Sequence, residues 1–510
     1  MTSFNCLYYF LTKDIFRSWK YGKIFREITL SHWTVRKNVY TSAKSICYSQ
    51  PTAISHPHLL KKGEVTPGIS ADIYKNRRQR LMEVIYKSTH INSKSKSAHL
   101  IVIPSGSVVI MTEHIPYFFR QNTDFFYLCG FQEPDSVLVI HSLSDESNLD
   151  YRCELFIPKQ SKDSIQWEGK KMDLQTVSDF LGIDRASYME DLEKFLELFS
   201  KSHRHFTVWY DYFGSPFRLI REKMNDFFAA YSGSMSVESP KRVLHEIRLI
   251  KCDAEAELMR KTCKIAAESM KEVMRFSHSM ICESHLEAKM DYECCIRGAN
   301  HLAFPPVVGG ADRASTIHYI DNNQIINDGE LVLMDAGCEY HGYTSDMTRT
   351  WPMNGRFTSA QRELYEVVLS VQEDLIKMCQ QKIPLNKLFD FMCIKLGKGL
   401  QELGIIPVSV TEKDIAEAGY ELCRHHVSHY LGMDVHDTCL ISRGIELLPG
   451  MVVTVEPGVY IPKNSKCPER YRGLCIRIED DILITRDGYE ILTSDCPKHI
   501  DQIEELCKKS

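Results

Sequence analysis

LVLMDAGCEYHGYTSDMTRTWP, residues 331–352, opens with an apolar run from Leu331 to Met334 that leads into Asp335. A turn-like centre at Tyr340, His341 and Gly342 follows, and then a segment from Thr344 to Trp351 rich in Thr and aromatics. That is the pattern of two strands joined by a short loop. With the tip between Tyr340 and His341, Asp335 and Asp346 become direct cross-strand neighbours on one face, their Cβ atoms about 4.5–5.5 Å apart. Two ionised carboxylates that close repel unless a proton or a cation lies between them. A pair of divalent ions about 3.5–4 Å apart is one arrangement that keeps both ionised. The other reading is the polar outer face of a hairpin, where Asp is common near turns. Choosing between them needs partners from elsewhere in the chain.

At 510 residues the chain has room for two or three domains, and 44% hydrophobic with 25% charged residues is the composition of a globular protein. A net charge of -5 leaves no electrostatic footprint for nucleic acid. No apolar run approaches the roughly 18 residues of a membrane span. The 18 cysteines include no C-x-x-C pair, which argues against zinc ribbons and for scattered reduced thiols in an intracellular compartment. Residues 1–54 differ from the rest: eight basic side chains, among them Lys13, Arg17 and Lys20, stand against only Asp14 and Glu27. Basic, Ser-containing and acid-poor is the profile of a mitochondrial transit peptide, with the cytosol and secretion as the alternatives.

A Pro- and Gly-containing linker, residues 55–68, leads to an expected helix over 70–86, with Ile73, Leu81, Val84 and Ile85 inward and Arg77, Arg78 and Arg80 solvated. Short apolar runs then alternate with amphipathic ones. HLIVIP, VVIM, VLVIH, ELFIP and HFTVWYD read as strands, and 173–181, 190–199 and 216–231 as helices, giving an α/β domain over 55–239. Its densest segment, FFRQNTDFFYLCGF (118–131), reads as core packing around a buried ion pair. The second domain, 240–510, begins with one long amphipathic region over 241–276. A helix over 285–297, strands from Pro305 onward, helices over 359–379 and 385–403 and a short closing helix after Ser494 complete an α+β chain.

Three further stretches hold ligand-type residues. HHVSHYLGMDVHD crowds His425, His426, His429 and His436 beside Gly432, without the Glu of an H-E-x-x-H site. In PGMVVTVEPGVYIP the alternation sends Val453 and Val455 to one face and Thr454 and Glu456 to the other. In GLCIRIEDDILIT it sends Ile476 and Ile478 to the core and Arg477 and Glu479 to the opposite face. Each carboxylate alone fits an ordinary polar face, but a half-buried one needs a cation or several hydrogen bonds to stay ionised. Asp335, Asp346, His429, Glu456 and Glu479 together make four carboxylates and one imidazole. Such an oxygen-rich set suits Mn²⁺, Co²⁺ or Zn²⁺ in a shared two-metal site rather than a thiolate-bound structural zinc. Two such ions activate a bridging water and polarise a carbonyl, which amide hydrolysis requires.

The order D-x10-D, then H, E and E, resembles the pita-bread metallopeptidases, the group holding methionine aminopeptidase, prolidase and aminopeptidase P. DAGCEYHGYTSDMTRTWPMNGRFT, HHVSHYLGMDVHDT, LPGMVVTVEPGVYI and YRGLCIRIEDDILIT resemble the aminopeptidase P branch, and most closely its mitochondrial form. FFRQNTDFFYLCGFQEPDSVLVI and HPHLLKKGEVTPG carry the resemblance back to about residue 55. It implies an N-terminal α/β domain followed by a C-terminal pita-bread catalytic domain. It places Asp335 on one metal and His429 with Glu456 on the other, with Asp346 and Glu479 bridging and Glu456 doubling as general base. His318 falls at a substrate-binding and catalytic position, and His436 where the scissile carbonyl or its oxyanion is held. His425 would line the pocket for the proline ring, and Arg477 would steady the ligands. Phe304 stands where the family has an aromatic, often Tyr, near the substrate N-terminus; His426 reads as structural. The implied cofactor is two divalent ions per chain, Mn²⁺ first and Co²⁺ or Zn²⁺ as alternatives. The implied substrates are peptide or protein N-termini with proline second, and a homodimer is expected. The rival readings are a prolidase confined to dipeptides and a catalytically inactive peptide-binding relative, the latter disfavoured by five intact ligand positions.

Overall fold

HLIVIP becomes the central strand of a six-stranded mixed sheet, because both of its faces are covered. In the computed structural model, which describes residues 48–92, 97–144, 150–212, 214, 217–408 and 411–508, this strand is β1 (Ala98–Pro104). It pairs antiparallel with β2 (Val137–Ser142) and parallel with β5 (Phe206–Trp209). β3 (Tyr151–Ile157), β4 (Arg185–Tyr188) and β6 (Met235–Glu238) complete the sheet in the order β6-β5-β1-β2-β3-β4. Leu100 and Val102 pack with Leu196 and Ile220 on one side, while Ile101 and Ile103 join a core with Phe125 and Leu128 on the other. A strand buried on both faces reads as a continuous apolar run, which is why alternation is missing there. The expected leader lies, up to residue 47, outside the described residues. Within its last residues Gln50 is buried, donating to the Gly130 carbonyl at 2.8 Å and accepting the Gln132 amide at 2.9 Å.

Two expectations about helices need correction. In α1 (Ala71–Asn92), Arg77 and Arg78 are buried rather than solvated. Arg78 donates to the Leu128 and Gly182 carbonyls, and Arg77 to the Tyr127 carbonyl and the Tyr343 hydroxyl, so their partners are far off in sequence. The region 241–276 is two helices, α3 (Lys241–Leu249) and α4 (Asp253–Phe276). Ile250 is extended, Lys251 donates its amide to the Gly450 carbonyl, and Cys252 with Glu255 caps the second helix. Two further helices, Lys162–Glu168 and Glu412–Glu421, fall outside the expected set; the first buries no residue and the second only Gly419, so neither needs a marked apolar stripe. The dense segment 118–131 contains α2 (Thr123–Cys129), capped by Asn122 and closed by Gly130 at φ 69.

The metal-type carboxylates sit in two ladders of similar build. In the first, β7 (Leu331–Ala336) pairs with β10 (Met347–Pro352), and beyond a break β8 (Cys338–Tyr340) pairs with β9 (Tyr343–Thr344). In the second, β11 (Val452–Val455) pairs with β14 (Asp480–Ile484), and beyond a break β12 (Gly458–Tyr460) pairs with β13 (Cys475–Arg477). Tyr340 faces Tyr343, so the tip of the first ladder is His341-Gly342, one residue later than expected. Both tip residues have positive φ, 50 and 85, as a two-residue type I′ turn requires. Asp335 consequently faces Thr348, and its direct opposition to Asp346 is not found. The displacement amounts to two places in the pairing, which preserves parity: Asp346 remains on the Asp335 face as a diagonal neighbour. A break lies at Gly337, where a Cβ would overlap the Ser345 carbonyl oxygen. In the second ladder the break holds Glu456, Pro457 and Glu479, and Pro457 has no amide to donate.

Candidate metal centre

The four carboxylates are aimed by a strand end or a ladder break, and His429 directly precedes the isolated bridge of Tyr430 with Val453. One ligand atom each of Asp346, His429 and Glu479 lie within 4.8 Å of one another, and all three residues are buried. The His429 Nε2 stands 3.3 Å from an Asp346 oxygen and 3.6 Å from Glu456 Oε1. Asp335 lies close enough to Asp346 to repel its charge, and Glu456 and Glu479 face the same space. Burial comes first in raising Asp346 well above the ordinary carboxylate range, followed by Asp335, Asp481 and Glu456. Glu479 is driven up in the same way, by burial and then by Asp346, Glu456 and Asp335. Asp335 Oδ1 and Asp346 Oδ1 are buried with no hydrogen-bond partner. Crowded carboxylates with idle, buried oxygens fit divalent cations, because positive charge is what the site lacks.

The one guanidinium in the cluster is Arg477. Burial would lower its pKa, but Tyr460, Asp335 and Glu479 around it hold it well above the usual range. It donates to Asp335 at 2.5 Å, to the Thr348 hydroxyl at 2.9 Å and to the Tyr460 hydroxyl at 2.8 Å. Thr348 in turn donates to Glu479 at 2.7 Å. Neither Thr348 nor Tyr460 stands out in the sequence, yet strand parity gave a signal for the first. Thr348 and Thr350 share the Asp346 face, and Thr350 binds the backbone on either side of Arg477. Asp481 supports from behind, accepting the Asp346 amide at 3.0 Å and the Cys263 thiol at 3.1 Å. Burial pushes its carboxyl up to about 7.

The histidines divide. His425 contacts the Tyr460 hydroxyl at 2.9 Å and lies 3.5 Å from Glu456 Oε2; burial and then Arg477 lower its pKa to about 4. The His436 ring meets that of His429 edge-on at 4.6 Å, and burial followed by His429 lowers it. His318 is exposed at the rim, near enough to bear on both His425 and His436. His426 stacks on Phe389 at 5.0 Å and bonds Ser428. Phe304 lines a cavity of about 620 Å³ with Phe118, Arg120, Leu302, Pro305 and Pro306.

Residues 257–486 match the family model described as metallopeptidase family M24, and residues 74–209 match that of the aminopeptidase P N-terminal domain. The chain is 42% identical to Xaa-Pro aminopeptidase 3 of Rattus norvegicus over 465 residues, 90% of each chain. It is 40% identical to the mitochondrial intermediate cleaving peptidase 55 of Arabidopsis thaliana over 472 residues, 92% of this chain and 90% of that one. Among solved structures, zinc-substituted E. coli aminopeptidase P in complex with product superposes with a TM-score of 0.79 at 32% identity, over 87% of this chain and all of that one.

Proposed function

The chain belongs to metallopeptidase family M24, and from that premise we propose that it is an Xaa-Pro aminopeptidase, releasing the N-terminal residue from peptides or proteins with proline second. One observation carries the reading: ligand atoms of Asp346, His429 and Glu479 come together from separate stretches, with Glu456 3.6 Å from His429 and Asp335 beside Asp346. One oxygen each of Asp335 and Asp346 is buried there without a hydrogen-bond partner. Asp335, Asp346, His429, Glu456 and Glu479 would hold two divalent ions, with Mn²⁺ suited to so oxygen-rich a set. Bound there, the ions supply Lewis acidity for the scissile carbonyl and make the attacking water more acidic.

The side chains do the rest. Glu456 accepts a proton from the attacking water and passes it to the proline nitrogen as the amide breaks. In the metal-free chain burial raises its carboxyl above the ordinary range, so the site lacks the positive charge that would keep it ionised. His436 is neutral at pH 7 and donates a ring N–H to the carbonyl oxygen as charge develops. His425 and Tyr460 wall the proline ring, His318 closes the rim, Phe304 meets the first residue, and Arg477 keeps Asp335 turned inward. The bond to proline is a tertiary amide with a fixed ring, so a pocket shaped to that ring selects it.

Purified chain is expected to cleave Xaa-Pro peptides of three residues and longer, read by mass spectrometry of the released amino acid. Turnover of Xaa-Pro dipeptides alone would assign a prolidase instead.

Two further parts of the proposal concern location and assembly. Eight basic against two acidic residues in 1–54 support mitochondrial import, as does the name of the Arabidopsis relative. A reporter fused to residues 1–54 is expected in mitochondria, and diffuse cytosolic signal would count against it. No helix among the described residues is long and apolar enough to cross a membrane. A homodimer is supported by the hairpin Ile110–Thr112 and Ile115–Pro116, which exposes Val109, Ile110, Met111, Ile115 and nearby Phe118 to solvent. An apolar patch of that kind marks a contact surface. Sedimentation at twice the chain mass is the expected result; a monomer at micromolar concentration would contradict it.

A further inference from the structure

The segment 118–131 does more than fill a core. It meets the loop that carries His436, and a buried arginine joins the two. Arg248, in α3, donates to Asp124 of α2 at 2.6 Å, to Asp434 at 2.8 Å and to Asp437. Arg120 donates to the Met433 carbonyl at 2.7 Å, to Asp434 at 3.2 Å and to Glu339 of the first ladder at 2.7 Å. The Thr123 hydroxyl donates to Asp434 at 2.7 Å, and Lys251 reaches Asp437 at 3.3 Å. Asp434 and Asp437 flank His436, so the charges grip the loop on both sides of the ring.

The loop needs the grip. Thr438, two residues beyond His436, has φ 48, and its buried hydroxyl has no hydrogen-bond partner. A β-branched residue in the left-handed region is an outlier that persists only where its surroundings over-determine it. Gly432 belongs to the same device, because a Cβ there would overlap the Asp437 carboxylate.

We infer that Arg248, with Arg120, Thr123 and Asp124, positions His436, so that the N-terminal domain sets the geometry at the scissile carbonyl. This rests on the reading of His436 as the group that meets that carbonyl. Arg248, Thr123 and Asp124 are positioning residues, whereas Arg120 also lines the cavity that Phe304 lines. The competing explanation is a simple inter-domain tie that adds stability and nothing else.

A double-mutant cycle on the metal-loaded full chain separates the two. Asp124→Asn should lower kcat by about tenfold with KM within about threefold, because small misplacement of a reacting group is costly in rate. Metal content, measured by elemental analysis, should stay at the wild-type value. In a His436→Ala background the same substitution should change kcat by less than about twofold, since the group it acts through is gone. Equal losses in both backgrounds, or no loss in the wild-type background, overturn the inference. Where His436→Ala is damaged and Asp124→Asn is not, the inference falls and the reading of His436 stands. An undamaged His436→Ala overturns that reading and the inference together. If Asp124→Asn does not fold, Thr123→Val, which removes the hydroxyl bond to Asp434, replaces it in the cycle, with the same results expected and the same results overturning the inference.

Discussion

Glu456→Gln should reduce kcat on an Xaa-Pro peptide by about 10³-fold or more, beyond the middle of the range for losing a general acid or base alone, because a ligand charge goes with the base. The fold should survive. The amide has nearly the shape of the carboxylate, and Thr454 Oγ1, 3.3 Å from Glu456 Oε1, can still donate to its oxygen. Removing one negative charge from a crowd of four also relieves repulsion, which offsets lost metal affinity in the stability of the chain. Steady-state kinetics and thermal unfolding on one preparation check both parts. A variant that keeps kcat within tenfold of wild type would remove Glu456 from the proton path.

Stripping the metals with a chelator should abolish turnover and lower stability together. Filling one site at a hundred times its Kd stabilises a protein by about 2.7 kcal/mol, and here there are two sites to empty. The metal-free chain should also respond to pH in a particular direction. Burial and mutual repulsion raise Asp346 and Glu479 in the folded state, while in the unfolded chain they return to ordinary carboxylate values. Between those values the folded state binds more protons than the unfolded one, so stability is gained as pH falls and lost as it rises through the folded-state values. The gap in melting temperature between loaded and metal-free protein should therefore narrow from neutral to mildly acidic pH. Half-buried histidines such as His341, His425 and His426, held down to about 4, cost stability below about 6.5, but they do so in both forms. Asp480 opposes the trend only at lower pH, since Arg349 and Lys498 hold it below the ordinary range despite its burial. Unchanged activity in verified metal-free protein would end the mechanism, and a gap between loaded and metal-free melting temperatures that does not change with pH would contradict the charge accounting.

The carboxylates were legible because strands alternate. Glu456 shares a face with Thr454, and Glu479 with Arg477, by parity alone, and the displaced tip of the first hairpin left parity intact. The register was not legible. It depended on which two residues take positive φ, and His341-Gly342 is a weaker turn signal than Asn-Gly or Asp-Gly. The burial of Arg77 and Arg78 was hidden for another reason: Arg78 is satisfied by carbonyls 50 and 104 positions away, and Arg77 by the buried Glu255 carboxylate at 3.1 Å, on another helix. The same holds for Arg248, which looks like one more basic residue on an amphipathic helix until Asp124, Asp434 and Asp437 are brought to it. Local pattern carries the faces of elements, whereas pairings between distant elements are decided by packing.

Whether Asp335, Asp346, His429, Glu456 and Glu479 form one two-metal centre is tested most directly by anomalous diffraction. Crystals of manganese-loaded protein would be measured on both sides of the metal edge. Two anomalous peaks per chain are expected, one against Asp335 and one against His429 and Glu456, with Asp346 and Glu479 reaching both. A single peak, or peaks away from these five side chains, would contradict the two-metal centre.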